Sequence, residues 1–410
     1  MTRPSTPPPR TRDAFRIGSL GRWLAPALSV VGLLVVAIVT LDLLNGQVPF
    51  VGGSSGNGSG SGNGNGGSIQ TPAPSNVVIV PDVVTFQGSI VYAKAGNIWV
   101  QTGKDVRQLT TSGDDTMPSW SPDGASVYFI RTVDGVGRAL SQGVVREYQL
   151  TTPSVMRVKT DGSGDPELVL SGKVTKSGRT WHAWIRQPVL SPDGKTLAMV
   201  SDRPDPSESD VVLQFYDLST RKSRVPKLAQ TPPLGHQDPA WRPDGKDLLY
   251  VHNGRDGPRG APTIYRWTVA TSKGAPVTGP GYLEPSYSPD GKFIAATRTS
   301  SFGNDLVILD GSNGRELLRL TTDGASWAPA WSPAGDSIAF LHIRGQIVDL
   351  KLARLDGSAP NWTVRDITDL TEVSGLDGGS RPDWFIPADK LPAVTPVPSA
   401  APSASGSTAP

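Results

Sequence analysis

The chain has 410 residues, a formal net charge of +2 and no cysteine. Near-neutral charge leaves no electrostatic footprint for bulk nucleic-acid binding, and the missing cysteines exclude disulfides, thiolate zinc sites and cysteine nucleophiles. Its 46 glycines and 38 prolines fall short of general disorder; they gather at turns and at the two ends.

Residues 1–22 form a basic tail with Arg3, Arg10, Arg12, Arg16 and Arg22 against Asp13. From Leu24 to Leu41 no residue is charged and eleven are Leu, Ile or Val. An apolar run of this length predicts a transmembrane helix over 23–44, held by Trp23 to Leu44, and the arginines before it keep the N-terminus cytoplasmic. A cleaved secretory signal has a shorter apolar core followed by a small-residue site, whereas Ala25-Pro26-Ala27 precedes the run. The expectation is a single-pass membrane protein with everything downstream extracytoplasmic, in a periplasm or at a cell surface. Residues 45–75, rich in Gly, Ser and Asn, read as a flexible linker with a reach of roughly 30 Å. Residues 388–410 read as an Ala/Pro/Ser-rich disordered tail.

Between the two ends one motif recurs: PSWSPDG at Pro118, PVLSPDG at Pro188, PAWRPDG at Pro239, PSYSPDG at Pro285, PAWSPAG at Pro329, and a truncated Pro382-Asp383-Trp384. Positions 120, 190, 241, 287, 331 and 384 are therefore 70, 51, 46, 44 and 53 residues apart. Spacing of about 40 to 50 residues, filled with short strand-like segments, marks the blades of a β-propeller. After each Pro-Asp-Gly turn comes an apolar strand, such as Ser126–Arg131, Thr196–Val200 or Ser337–His342, and then a second, such as Val155–Thr160 or Val211–Leu218. Ser89–Ala93, Asn97–Gln101 and Val106–Leu109 lack an inner strand, and Pro382–Phe385 is an inner strand lacking the other three. The predicted fold is all-β: a six-bladed propeller over 76–387, built of four-stranded antiparallel blades. N-terminal strands pairing with the C-terminal inner strand close it.

On these residues the chain resembles the WD-like repeats of the TolB propeller family, which carry the same P-x-W-S-P-D-G core. The resemblance covers about 300 residues and implies an extracytoplasmic propeller that binds other macromolecules. Family members carry a separate N-terminal domain, in whose place this chain has its apolar run and glycine-rich tether. Similar repeats occur in prolyl-oligopeptidase-type peptidases, beside an α/β-hydrolase domain.

Strand alternation sends the short Ser-Pro-Asp-Gly turns to one face of the disc and the long segments to the other: Thr132–Pro153, Gly172–Gln187, Ser201–Asp210, Asn253–Pro262 and Asp369–Arg381. Candidate binding residues lie on this long-loop face. Lys173 to Arg186 combines Trp181, His182, Trp184 and Arg186 with further cations, suited to an anionic or glycan-bearing partner. Around the channel mouth, Met117, Gln187, Asp238, Glu284, Ala328 and Arg381 each precede a motif proline. His236, Asp238 and Glu284 are the candidates for a cation, a basic peptide group or, in an enzyme, hydrolase or lyase chemistry on a sugar or lactone. Trp327 completes the candidate set.

No catalytic residue, metal or cofactor is assigned. Gly52 to Gly56 matches G-x-S-x-G but sits in the tether without a preceding strand, and the four histidines form no zinc spacing. The aspartates of the Pro-Asp-Gly steps read as turn formers. The expected function is a membrane-tethered scaffold for a protein or envelope polymer, without nucleic acid. The alternatives are a propeller enzyme and the non-catalytic partner of a separately encoded peptidase.

Overall fold

The computed structural model describes residues 71–391 apart from 142–143, 177, 204–205, 207–210, 227, 229–234 and 254–260. The apolar run, the tether up to residue 70 and the tail from Pro392 lie outside the described residues. Among those described, no helix is long and apolar enough to cross a membrane.

The strands fall into six four-stranded antiparallel sheets and one small hairpin. The chain first lays down β1 (Ser89–Lys94), β2 (Asn97–Thr102) and β3 (Asp105–Gln108). The second blade is β4 (Asp115–Trp120), β5 (Ser126–Ser141), β6 (Val144–Lys159) and β7 (Glu167–Leu170), followed by a hairpin of β8 (Lys173–Lys176) and β9 (Arg179–His182). The third is β10 (Ile185–Leu190), β11 (Thr196–Ser201), β12 (Val212–Asp217) and β13 (Lys222–Arg224). The fourth is β14 (His236–Trp241), β15 (Asp247–His252), β16 (Thr263–Thr268) and β17 (Lys273–Pro280). The fifth is β18 (Tyr282–Tyr287), β19 (Phe293–Ser300), β20 (Gly303–Asp310) and β21 (Glu316–Arg319). The sixth is β22 (Ser326–Trp331), β23 (Ser337–Arg344), β24 (Ile347–Asp356) and β25 (Thr363–Asp369). Finally β26 (Asp383–Phe385) joins β1, giving the order β26-β1-β2-β3, so the composite blade expected from the sequence is present.

The motif builds each blade the same way. Ser121 Oγ donates to Asp123 Oδ1 (2.6 Å), the same carboxylate accepts Ala125 N–H (3.0 Å), and Gly124 takes the positive φ of 69° that closes the turn. The pattern repeats at Ser191/Asp193 and Ser288/Asp290, which supports the turn-former reading of these aspartates. Upstream, every complete inner strand carries a bulge at the motif proline. Met117 and Pro118 stand opposite one residue of β5, and register shifts recur at the same place in β10, β14, β18 and β22. A bulge is where a sheet tolerates a proline, which has no N–H to give the ladder. Apolar residues alternating along the strands then pack blade on blade, as Ala295, Leu306 and Ile308 of the fifth blade do against Trp331, Ile338 and Phe340 of the sixth.

Two segments expected to be loops are strands. Thr132–Pro153 continues β5 and β6 in unbroken register from Thr132↔Pro153 to Ser141↔Val144. At about 3.3 Å per residue this arm is roughly 30 Å long. Inside Gly172–Gln187, β8 and β9 pair from Lys173↔His182 to Lys176↔Arg179, and β10 begins already at Ile185. The first residues of the expected tail, Ala388–Lys390, form a single 3-10 turn.

Ring closure rests on Trp384, buried with its indole N–H donating to Gln87 O (2.8 Å) and its ring edge-on to Phe86 at 5.7 Å. Asp383 reinforces it, its Oδ2 accepting Trp120 N–H at 2.8 Å and its carbonyl the Trp120 indole N–H at 3.1 Å. Removing the Trp384 side chain (Trp384→Ala) is expected to lower unfolding free energy by about 3–5 kcal/mol in denaturant titration, against roughly 0.5 kcal/mol or less for the exposed Phe302→Ser. Equal effects of the two would contradict this closure.

Candidate functional site

The residues preceding the motif prolines form a relay around the channel. In Met117, Gln187, Asp238, Glu284 and Ala328 the bulge forces φ between 51° and 56°, a region that non-glycine residues rarely occupy. Side chains of this set reach the next blade. Gln187 Oε1 accepts Asp238 N–H (2.8 Å), Asp238 Oδ2 accepts Glu284 N–H (3.2 Å), and Glu284 Oε2 accepts Ala328 N–H (2.8 Å). Gln187 also donates its amide to Asp238 Oδ1, and Thr297 donates its hydroxyl to Glu284 Oε2 (2.7 Å). Ala328 has no side chain to carry the chain onward; Met117 N–H instead finds Ser380 Oγ at 3.1 Å.

Arg381 reaches across the channel from the connector before β26. Its guanidinium donates to Pro239 O and Pro285 O, each at 3.2 Å, in the fourth and fifth blades. One cation thus serves three enclosed carboxylates, Asp238, Glu284 and Asp383, with Arg186 adding its field at Asp238. Burial raises all three; at Glu284 burial, and after it the Asp238 charge, pushes the value up to about 7.

The sequence candidates separate into different environments. Arg186, Asp238, Glu284 and Arg381 meet at the channel. His236 does not join them: its Nδ1 accepts Leu213 N–H (3.0 Å), and its ring packs against Tyr250 and His252 at 4.9 and 5.9 Å. In four other blades Thr110, Thr278, Thr321 and Thr371 hydroxyls accept the matching backbone N–H of Ile98, Ile264, Leu306 and Leu350, so His236 takes the part a threonine plays there. Burial, then His252, lowers it to about 3, which keeps the ring neutral. Trp327 is half-buried with its indole N–H on Gly378 O (2.9 Å). Trp181 and His182 lie on β9, where His182 Nδ1 meets Thr152 Oγ1 at 2.5 Å and ties the hairpin to the base of the arm. Trp184 is 59% exposed, its backbone N–H fixed by Asp202 Oδ1 at 2.8 Å. Among the described residues no group of three His, Asp or Glu is placed to hold a metal.

Sequence reasoning placed binding on the long-loop face and did not foresee a funnel on the other. A cavity of about 310 Å³ lies on the axis toward the short turns, walled by motif residues including Trp120, Leu190, Trp241, Tyr287, Trp331 and Trp384. Arg381 and the motif prolines also line it. The repeated aromatic position was the available signal, since one copy per blade converges on the axis.

Because Glu284 titrates higher in the folded ring than the ordinary 4.5, its ionisation opposes folding, and its contribution falls as pH rises between the two values. The stability of the parent relative to Glu284→Gln is therefore expected to rise by on the order of 1–2 kcal/mol from about pH 8 to about pH 5. Thermal denaturation of both proteins measures it, and the neutral His236 cancels in the difference. A difference that shrinks on acidification would refute the assignment.

Residues 172–366 match the profile of the TolB beta propeller domain. Over 177 residues the chain is 29% identical to the uncharacterized protein Atu1656 of Agrobacterium fabrum, covering 42% of this chain and 54% of that protein. Over 240 residues it is 33% identical to the uncharacterized peptidase YuxL of Bacillus subtilis, covering 58% of this chain and 30% of that one. The matched stretch thus spans about half or less of either relative. Among solved structures, TolB from Acinetobacter baumannii superposes with a TM-score of 0.53 at 20% identity, over 73% of this chain and 68% of that one, a likeness of fold. Residues 172–366 thus carry the TolB beta propeller profile within a six-bladed propeller whose blades are built on the P-x-W-S-P-D-G motif.

Proposed function

We infer that the protein is a membrane-tethered, extracytoplasmic scaffold whose propeller binds a protein or envelope polymer and performs no chemistry itself. One observation carries the non-catalytic part. The charged groups at the channel are engaged by backbone: Asp238 and Glu284 accept N–H groups of the next blade, and Arg381 donates to two carbonyls. A general acid or base needs a proton-transfer position open to substrate, and these groups hold the ring together instead. The Trp- and Pro-lined funnel suits a binding role, offering the half-buried Trp241 and a guanidinium to an extended segment. Tethering rests on the apolar run Leu24–Leu41 with its arginine-rich flank and on the Gly/Ser/Asn stretch that follows.

The partial likeness to the peptidase YuxL favours a second reading, in which the disc is the non-catalytic partner of a separately encoded peptidase.

A photoreactive residue at Trp241, on the funnel wall, tests both in the full chain within its native membrane. It is expected to capture an extracytoplasmic protein or polymer, while the same group at Leu168, on an exposed outer strand, captures none. Capture of a peptidase selects the second reading. Equal capture from both positions, or capture of cytosolic proteins, contradicts the scaffold and its placement.

A further inference from the structure

Turns joining the second and third strands of a blade, and connectors leading to the next blade, lie on the long-loop face, and several large apolar side chains are exposed there. Phe302, in the β19–β20 turn, is 91% exposed. That turn is rigid: Phe302 N–H donates to Ser300 Oγ (3.1 Å), Asn304 N–H to Gly324 O (3.0 Å), and a Cβ on Gly303 would meet Gly324 O at 2.1 Å. The phenyl ring is thus held in water by a braced backbone. Trp184 stands out between β9 and β10, Ile343 beside the β23–β24 turn, and Val144, Val145 and Tyr148 on the arm. On the turns of the opposite face, Val269 is the exposed large apolar side chain among the described residues. Exposed apolar groups also stand elsewhere, as Val83, Leu168 and Ile367 do, but Phe302, the most exposed of them, and Trp184 share this face.

The chain also enters the propeller on this face. Lys94, buried at the β1–β2 turn, donates to Ala73 O (3.1 Å) and Ser374 O (2.5 Å), and Ala73 N–H donates to Val373 O (2.6 Å). From there the segment passes Ile79, bonded to Ser374 Oγ and Glu372 N–H, to Thr85, bonded by Arg354 near the short-turn side. Ala73 and Ile79, near the start of the described residues, are therefore bonded at this face.

We propose that the long-loop face is a lipid-contacting surface, with Phe302, Trp184 and the end of the β5–β6 arm entering the interfacial layer of the membrane that holds the chain. The proposal rests on the tethering reading above. Aromatic rings and valines sink roughly 5–10 Å into the headgroup boundary. Charges of both signs line the face, so apolar burial rather than charge supplies the attraction. The funnel then opens away from the membrane, free for a partner.

The cysteine-free chain makes the test direct. An environment-sensitive fluorophore is attached at Phe302→Cys, Val144→Cys and, as a control in a short turn, Lys195→Cys, in the full chain reconstituted into phosphatidylcholine vesicles. Brominated phosphatidylcholine is expected to quench the labels at 302 and 144 by about twofold and to leave 195 unchanged. Unquenched labels at 302 and 144 in a chain that resists carbonate extraction overturn the lipid face while the anchor stands. Should the chain wash off, the anchor reading falls, and quenching by added vesicles decides the face alone. A blue shift without quenching overturns the proposal in favour of a protein partner.

Discussion

A strained residue before a proline governs this molecule. In five inner strands the motif proline forces a bulge and turns its predecessor to positive φ, at about 1 kcal/mol or more apiece for a non-glycine residue. Where that predecessor is Gln187, Asp238 or Glu284, its side chain accepts the N–H of the equivalent residue one blade on. The strain is offset by satisfying N–H groups that the bulges leave without a ladder partner. These links join the third to the sixth blades, and Arg381 reaches the backbone of the fourth and fifth.

This arrangement changes how the acidic residues read. Two carboxylates and an arginine at a channel resemble the makings of an active site, and their raised values strengthen the impression. Their partners give them a part in linking the blades. Glu284 Oε2 accepts both Ala328 N–H and Thr297 Oγ1, so this oxygen serves as an acceptor between blades. His236 tells the same story from another blade, neutral and buried where its counterparts are threonines.

Much of this was legible in the sequence. The spacing of the aromatic positions counted the blades, and the unmatched Pro382–Phe385 announced how the ring closes, because both depend on local motifs of one repeat. The pre-proline set at the channel was visible for the same reason. What each member bonds to was not, since the link from Asp238 to Glu284 crosses between blades and depends on a backbone bend that has no single-residue signature. The arm escaped because Gly135 and Gly137 interrupt its alternation, yet these glycines face Leu150 and Tyr148 across the ribbon, and a Cβ at Gly137 would strike Leu150. His236 escaped because its partner, the backbone N–H of Leu213 one blade away, has no sequence signature.

The two faces differ: a tightly turned side opens the axial cavity, and on the irregular side Ala73 and Ile79 are bonded to the connector before β26. Both depend on the ring, which closes at Trp384 and whose third to sixth blades the inter-blade relay links. Native-state hydrogen exchange at the amides of Asp238, Glu284 and Ala328 tests that relay most directly. The account predicts that these amides exchange only through global unfolding, as slowly as the strand interiors, although they border the channel. Rapid exchange at these three positions in a ring that remains folded would contradict it.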